Sequence, residues 1–508
     1  MSVRRRSAIL GMSFGYASLL ISLARNILFI PIYLHNIPMV EFGAWLATGG
    51  ALALLLINDF GLSGVVIQKI SSSFGAGDLG TIGSLAGSAI VIGTFMAVVL
   101  TGISLALLPF LPGLQSLSDL QRDTVVNCFL IAVAANALGL IGATVMSIIR
   151  SLQRAVPAGS IVLVADLFNV TVTLVGLYRG YGLYSIALGM FARSIILVLG
   201  GAGAVAIVCS RIVPVSIVVR WRAVRELLGD SSRFFLTSIA LKMQSQATIV
   251  FVSAILGPGS AGIYGLTIRA HETVMMLIGQ INSALIPSVT HLFGSGDIAR
   301  FRAVLLRLLL ALSLVTAFAL TTTVILNPGF LHLWLVNQNF VGQDVSILMA
   351  IALFFSSLGY VAYDALVSQG KFKYVSRVLL MSSLLQVLLL GCFLRFGMWL
   401  APAATLITAL IWGLLFWKTV SAGIDLTAVE ARGLLAEVAR IVGFSTITAV
   451  AFGLFYPTAA SWRGLIAEGV LCMTVLIVGY LLFSATFLKI IREEIGMTLN
   501  AFRPNREY

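Results

Sequence analysis

Charge is the property that this sequence has least of. Lys, Arg, Asp and Glu together account for 10% of its 508 residues, whereas a soluble globular protein averages about a quarter. Apolar residues account for 59%, and the mean hydropathy is +1.05. These values exclude a soluble enzyme, a disordered chain and a secreted disulfide-rich domain. The composition indicates a polytopic membrane protein.

Cysteine is also scarce, and its spacing fits neither a disulfide framework nor a metal site. The four cysteines are far apart, and we interpret them as small buried hydrophobic residues: Cys128, Cys209, Cys392 and Cys472. The sequence also lacks the Asp-x-Asp, His-Glu-x-x-His and Gly-x-x-x-x-Gly-Lys-Ser/Thr motifs. We therefore predict a transporter rather than an enzyme, with no catalytic residue, cofactor or metal ion.

Fourteen apolar runs are each long enough to cross the hydrocarbon core, which takes about 20 residues of helix. They are continuously apolar, unlike the alternating pattern of a transmembrane strand. The loops between them are short and leave no room for a soluble catalytic domain. The predicted spans are 8–33, 41–66, 82–110, 125–149, 157–178, 183–209, 234–256, 261–287, 303–327, 345–367, 374–394, 398–420, 440–457 and 464–488.

The distribution of basic residues orients these helices. The formal net charge is +13, from 32 Lys and Arg against 19 Asp and Glu. When the N-terminus is placed in the cytoplasm, most basic residues fall in cytoplasmic segments, as the positive-inside rule requires. Both termini are then cytoplasmic, because the number of spans is even. Topology thus explains the basic charge without a nucleic-acid partner.

Two short motifs recur six spans apart. Phe74-Gly-Ala-Gly-Asp78 follows the second span and Phe293-Gly-Ser-Gly-Asp297 follows the eighth, while Glu41-Phe-Gly43 and Ile263-Tyr-Gly265 open those spans. This spacing gives both copies the same orientation and predicts two parallel six-helix lobes. We expect an N-terminal lobe, a cytoplasmic amphipathic linker, a C-terminal lobe, and two extra helices with a cytoplasmic tail, at 1–210, 211–233, 234–420 and 421–508. Ordinary positive-inside charge explains the linker's arginines equally well.

Ionisable side chains inside the spans are the candidate functional residues, because a charge at a helix centre costs roughly 2.5–3.5 kcal/mol on insertion scales. Four basic residues predict a cationic lumen for an anion such as pyrophosphate: Arg25, Arg193, Lys242 and Arg269. Four acidic residues are candidates for binding a coupling proton or cation: Asp59, Asp166, Glu272 and Asp364.

Two pairs of these ionisable residues could have a structural role instead of a role in transport. Arg269 and Glu272 are three apart on one helix, so they could simply neutralise each other. Asp166 and Arg193 have similar depths in adjacent spans and could form a structural ion pair.

Three single residues also have alternative interpretations. Lys242 could reach the cytoplasmic surface through its long side chain. Asp364 is close to the predicted end of its span, where an interfacial position is the alternative. His271 is interpreted as a satisfied polar group rather than as a proton carrier.

Several motifs resemble those of a known transporter family. The first lobe contains Phe29-Ile-Pro-Ile-Tyr33, Glu41-Phe-Gly-Ala-Trp45, Asn58-Asp-Phe-Gly-Leu62 and Gly75-Ala-Gly-Asp78, and the second contains Gly262-Ile-Tyr-Gly265 and Pro287. In these stretches the chain resembles the polysaccharide-repeat-unit (O-antigen type) flippases of the multidrug/oligosaccharidyl-lipid/polysaccharide exporter superfamily.

The resemblance implies two helical bundles that rock between inward-open and outward-open states. It implies that a polyprenyl-pyrophosphate-linked oligosaccharide is flipped across the bacterial cytoplasmic membrane for lipopolysaccharide or exopolysaccharide export. The lumen would involve Arg25, Lys242 and Arg269, with Asp59 and Glu272 as coupling candidates. The implied partners are the lipid-linked oligosaccharide, H⁺ or Na⁺, membrane lipids, and a polysaccharide polymerase or assembly machinery.

Three other functions remain as alternatives. A lipid II flippase has the same expected span number and cationic cavity. A cation-coupled multidrug exporter of the same superfamily would favour an acidic, aromatic cavity, which Arg25 argues against. A membrane polysaccharide polymerase is the remote alternative, because the longest predicted outer loop, 328–344, is short.

Overall fold

The structure is a computed structural model that describes residues 28–55, 61–111, 117–152, 154–212, 216–294, 298–335, 340–424, 426–456 and 458–483, and six positions between 14 and 24. All regular structure in these ranges is helical, and no strand occurs among the described residues. The predicted all-α polytopic membrane fold is confirmed.

The chain forms two compact packing units, Met1–Gly262 and Ile263–Tyr508. The first contains α1 (28–36), α2 (Met39–Leu55), α3 (Leu62–Ala76), α4 (Leu79–Ala106), α5 (Asp119–Ser151), α6 (Ala155–Tyr178), α7 (Tyr184–Ile207), α8 (Trp221–Leu256) and the first turn of α9 (Pro258–Gly294).

The second unit contains the remainder of α9, followed by α10 (Ile298–Leu335), α11 (Gln343–Ser368), α12 (Phe372–Phe393), α13 (Leu400–Gly423), α14 (Ala428–Phe455) and α15 (Trp462–Phe483). The predicted boundaries of the lobes, linker and tail stay predictions.

Eleven helices of the described part are long and apolar enough to cross a membrane. They correspond to eleven of the fourteen predicted spans. Of the other three, 8–33 is mostly outside the described residues and 261–287 is part of α9. The run 41–66 is divided between α2 and α3, because Gly61 has a φ of 76° at the start of α3. Glycine adopts this left-handed conformation without steric cost.

The core of the first unit lies between α3, α4, α5, α6, α7 and α8. Leu62, Ile82, Ile148 and Leu227 are at most 1% exposed there. Continuous apolar sequence supplies these contacts, since each helix has side chains to bury on more than one face.

In the second unit, α14 and α15 pack against α10, which also packs against α11. The buried cluster includes Leu320, Phe354, Ile441 and Leu476. The hydroxyl of Tyr480 is 2.6 Å from Oγ of Ser445, which joins α15 to α14 by a hydrogen bond. The two C-terminal helices are therefore integral to the core of this unit.

Candidate functional site

An ion pair joins α6 to α7 in the first unit. Nε of Arg193 donates a hydrogen bond to Oδ1 of Asp166 at 2.7 Å. The Asp166 side chain is only 15% exposed. Each group offsets the cost of removing the other from water, and loss of either would leave an uncompensated charge. The structure thus brings together a predicted lumen residue and a predicted coupling residue.

Helix α9 has a charged face. Nη1 of Arg269 is 3.5 Å from Oε2 of Glu272, one helical turn further along. Their side chains are 32% and 48% exposed. The residues are neighbours because positions i and i+3 share a helix surface. A guanidinium in this position can bind an anion, and the adjacent carboxylate can take up a proton.

The opposite face of α9 is buried and polar. Tyr264, Thr267 and His271 follow the i, i+3, i+7 spacing of one helix face, and each is 0% exposed. His271 therefore lies about 100° around the helix axis from Glu272, although the two residues are adjacent in sequence.

Hydrogen bonds connect this buried face to α10 and α11. Nε2 of His271 is 3.3 Å from Oγ of Ser346 on α11. Nδ2 of Asn327, on α10, donates to the carbonyl oxygen of Thr267 at 2.9 Å and to Oγ of Ser346 at 3.4 Å. One amide and one hydroxyl thus join three helices.

The network continues to the beginning of α11. The backbone amide of Val341 donates to Oγ1 of Thr267 at 3.1 Å. Nε2 of Gln343 donates to the carbonyl oxygen of Val324 on α10 at 2.8 Å. These contacts satisfy polar groups that would otherwise be buried in an apolar environment.

Some buried atoms of this cluster lack hydrogen bonds. Within the described part of the chain no partner is found for Tyr264 Oη, His271 Nδ1, Asn327 Oδ1 or Gln343 Oε1. Each unsatisfied buried polar group costs about 1–3 kcal/mol.

Two predicted site residues lie apart from these clusters. Lys242 is half-buried on α8, and its carbonyl oxygen accepts a hydrogen bond from Ser245 Oγ at 3.2 Å. Asp364 is half-buried on α11, one turn after Tyr360.

Arg25 and Asp59 lie outside the described residues. Of the other predicted residues, the structure pairs Asp166 with Arg193 and Arg269 with Glu272. Sequence reasoning missed the network around His271 because its other members are uncharged. One signal was available, namely an asparagine, Asn327, at the end of the apolar run 303–327.

Acidic, histidine and cysteine side chains do not converge on a metal site in the described ranges. No group of three or more of them there could hold a metal ion.

Comparison with solved structures identifies the fold. The chain is similar to the lipid II flippase MurJ in an inward closed conformation, with a TM-score of 0.66 and 17% identity over 95% of this chain and 99% of that one. A multidrug resistance MATE family transporter of the MOP superfamily, in its inward-facing conformation, gives a TM-score of 0.63 and 14% identity over 83% and 99% of the two chains.

A MOP superfamily transporter from Pyrococcus furiosus, with a binding pocket of reverse polarity, gives a TM-score of 0.58 and 14% identity over 84% and 96%. No protein-family model and no curated protein sequence matches this chain. The chain is a multi-pass membrane protein with the fold of MOP superfamily transporters.

Proposed function

We propose that this chain flips a polyprenyl-pyrophosphate-linked oligosaccharide from the inner to the outer leaflet of the bacterial cytoplasmic membrane. The observation that carries the proposal is the charged face of α9, where Arg269 and Glu272 interrupt an apolar helix. Charges inside a membrane helix are retained where they serve a substrate or ion pathway.

A pyrophosphate needs strong hydrogen-bond donors when it leaves water. A guanidinium binds phosphate oxygens through two parallel N–H donors, which an ammonium cannot do. We assign this lumen role to Arg25, Arg193, Lys242 and Arg269, and ion coupling to Asp59, Asp166, Glu272 and Asp364. The polyprenyl tail can remain in the lipid while the glycan crosses about 30 Å of hydrocarbon through a hydrated path.

Alternating access is the mechanism that this proposal requires. A hydrated glycan site must open first to the cytoplasm and then to the outside, because a permanently open path would leak ions. Both termini lie in the cytoplasm in this arrangement, since the basic residues predict that orientation. A polysaccharide polymerase or assembly machinery would receive the flipped lipid-linked oligosaccharide.

A lipid II flippase is the second candidate. The similarity to MurJ covers 95% of this chain, against 83% for the multidrug transporter. A multidrug exporter and, more remotely, a membrane polysaccharide polymerase are the remaining alternatives.

Reconstituted vesicles test the proposal with a defined probe. Purified protein is placed in phosphatidylethanolamine–phosphatidylglycerol vesicles containing undecaprenyl-pyrophosphate-linked oligosaccharide extracted from the host. An impermeant glycan-oxidising reagent then reports the fraction exposed outside. We expect protein-dependent exposure, reduced at least about tenfold by Arg269→Ala, which is about 1.4 kcal/mol of lost interaction.

Two further variants separate charge from geometry. Arg269→Lys keeps the charge but not the paired donors, so intermediate activity is expected. Arg122→Ala is the matched control, because Arg122 is an exposed arginine in the first turns of α5. Equal activity of Arg269→Ala and Arg122→Ala at equal abundance would remove Arg269 from the transport path.

A further inference from the structure

The buried polar cluster of α9, α10 and α11 has no role in the transport path proposed above. Its centre is His271, which is 0% exposed and directed away from the Arg269–Glu272 face. Histidine is the side chain whose charge ordinarily changes between about pH 5 and 8. A buried imidazole joined by hydrogen bonds to a neighbouring helix can therefore connect proton binding to helix packing.

When the His271 ring is neutral, its hydrogen bonds form a simple arrangement. Asn327 Nδ2 donates to Ser346 Oγ, and the Ser346 hydroxyl can then donate to Nε2 of His271. The imidazole carries its own hydrogen on Nδ1 in this arrangement. Helices α10 and α11 are thereby joined to α9 without a net charge.

A proton on Nε2 reverses one of these bonds. Nε2 becomes a donor to Ser346 Oγ, and the serine hydrogen must turn to another acceptor, such as a carbonyl one turn earlier in α11. The step is a proton transfer alone, in which the nitrogen lone pair takes a proton released by a hydronium ion.

We propose that His271 is a proton-binding site whose protonation loosens the hydrogen bonds that hold α9 to α10 and α11. A buried imidazolium is costly unless water enters or its surroundings rearrange. Proton binding therefore favours a conformation in which α9 separates from α11, and by linkage that conformation binds the proton more tightly. A role for this proton binding in driving transport rests on the proposed function.

The titratable groups around the ring are few in the part of the chain that the structure describes. On α9, Arg269 opposes a second positive charge while Glu272 favours it, both from the other face. Tyr264 lies on the same buried face, seven residues earlier in the chain. The packed helices contribute Asp344, exposed in the first turn of α11, and His332, exposed near the end of α10.

A route for the proton follows from the position of the cluster. Thr267 contacts Val341 just before α11, and Asp344 is two residues from Ser346. The predicted orientation places this end of α11 outside the cell. The exposed carboxylate of Asp344 can therefore collect protons from the outer solution and deliver them toward the cluster.

Hydrogen–deuterium exchange on the full chain in phosphatidylglycerol-containing nanodiscs tests the inference without any substrate. After correction for the intrinsic effect of pH on exchange, we expect protection of 263–275 and 343–350 to fall about tenfold between pH 8 and 5.5. His271→Gln should abolish this fall, because glutamine preserves hydrogen bonding without titrating. His332→Gln, at an exposed histidine, should behave like the wild type.

A second measurement covers the case in which His271→Gln does not fold. Changing His35, His291 and His332 to glutamine leaves His271 as the single imidazole, and its ¹⁵N resonances report its charge directly. Conversion to imidazolium together with loss of α9 protection would support the proposal. Unchanged α9 protection between pH 8 and 5.5 in this single-histidine protein, or the same loss of protection in His271→Gln, would overturn it. Either result is independent of whether the chain flips an oligosaccharide.

Discussion

Arg193 and Asp166 form a 2.7 Å hydrogen-bonded ion pair between α6 and α7. The two residues are 27 positions apart in the sequence, so the pair fixes the packing of consecutive helices rather than stabilising one helix. It also decides how each residue can be tested, because removal of one leaves the other charged in an apolar environment.

A double-mutant cycle measures this coupling. We expect Arg193→Ala and Asp166→Ala each to lower the thermal midpoint of the detergent-solubilised protein. The double variant should lose less stability than the sum, with a coupling of about 0.5–3 kcal/mol. Additive losses would contradict the ion pair between the two side chains in the folded protein.

A second prediction concerns a close approach of two helices in the first unit. A Cβ on Gly43 of α2 would lie 1.8 Å from the carbonyl oxygen of Pro258, at the start of α9. Because the clash is with backbone, rotation of a side chain cannot relieve it. We expect Gly43→Ala to cost about 1–3 kcal/mol of stability, measured as a lower thermal midpoint and a smaller monodisperse fraction.

The same helix offers the control. A Cβ on Gly49 would meet nothing within 4 Å among the described residues. Gly49→Ala should therefore be neutral or slightly stabilising, since alanine favours helix more than glycine does. Equal losses in the two variants would show that the contact between α2 and α9 is looser than the structure has it.

A third prediction concerns the N-terminal cap of α4. The Asp78 carboxylate accepts hydrogen bonds from the backbone amide of Thr81 at 3.0 Å and from its hydroxyl at 2.6 Å. These bonds hold the pKa of Asp78 below its ordinary value of 3.8. The stabilisation is therefore fully present above the unfolded-state pKa and is lost as pH falls through the folded-state pKa.

Asp78→Ala should accordingly lower the thermal midpoint at pH 7, and the difference from wild type should shrink as the pH falls below 3.8. Asp78→Asn keeps a capping oxygen and should remain close to wild type at pH 7. A difference between Asp78→Ala and wild type that persists unchanged at low pH would contradict the role of the carboxylate charge.

The helices could be predicted because membrane insertion leaves a strong signal in the sequence. Backbone groups in hydrocarbon must bond within their own segment, so a long apolar run indicates a helix. The boundary at Gly61 was missed, because the run 41–66 is mainly apolar on both sides of a glycine whose backbone is left-handed. Hydropathy does not report a local backbone angle.

The candidate sites could be predicted only as far as charge reveals them. Arg193 and Asp166 were recognisable as charges at similar depth, and the structure pairs them. The cluster of His271, Asn327 and Ser346 depends on the angular positions of three helices. The hydropathy of a single span does not show how its helix is rotated relative to its neighbours, so the network could not be predicted from the sequence.

The flippase proposal is tested most directly by lipid extracts from cells depleted of this protein. We expect a polyprenyl-pyrophosphate-linked oligosaccharide to build up and to be accessible only from the cytoplasmic leaflet, and its mass would identify the glycan. Normal levels of every lipid-linked glycan, together with intracellular retention of cationic drugs, would contradict the account and favour a multidrug exporter.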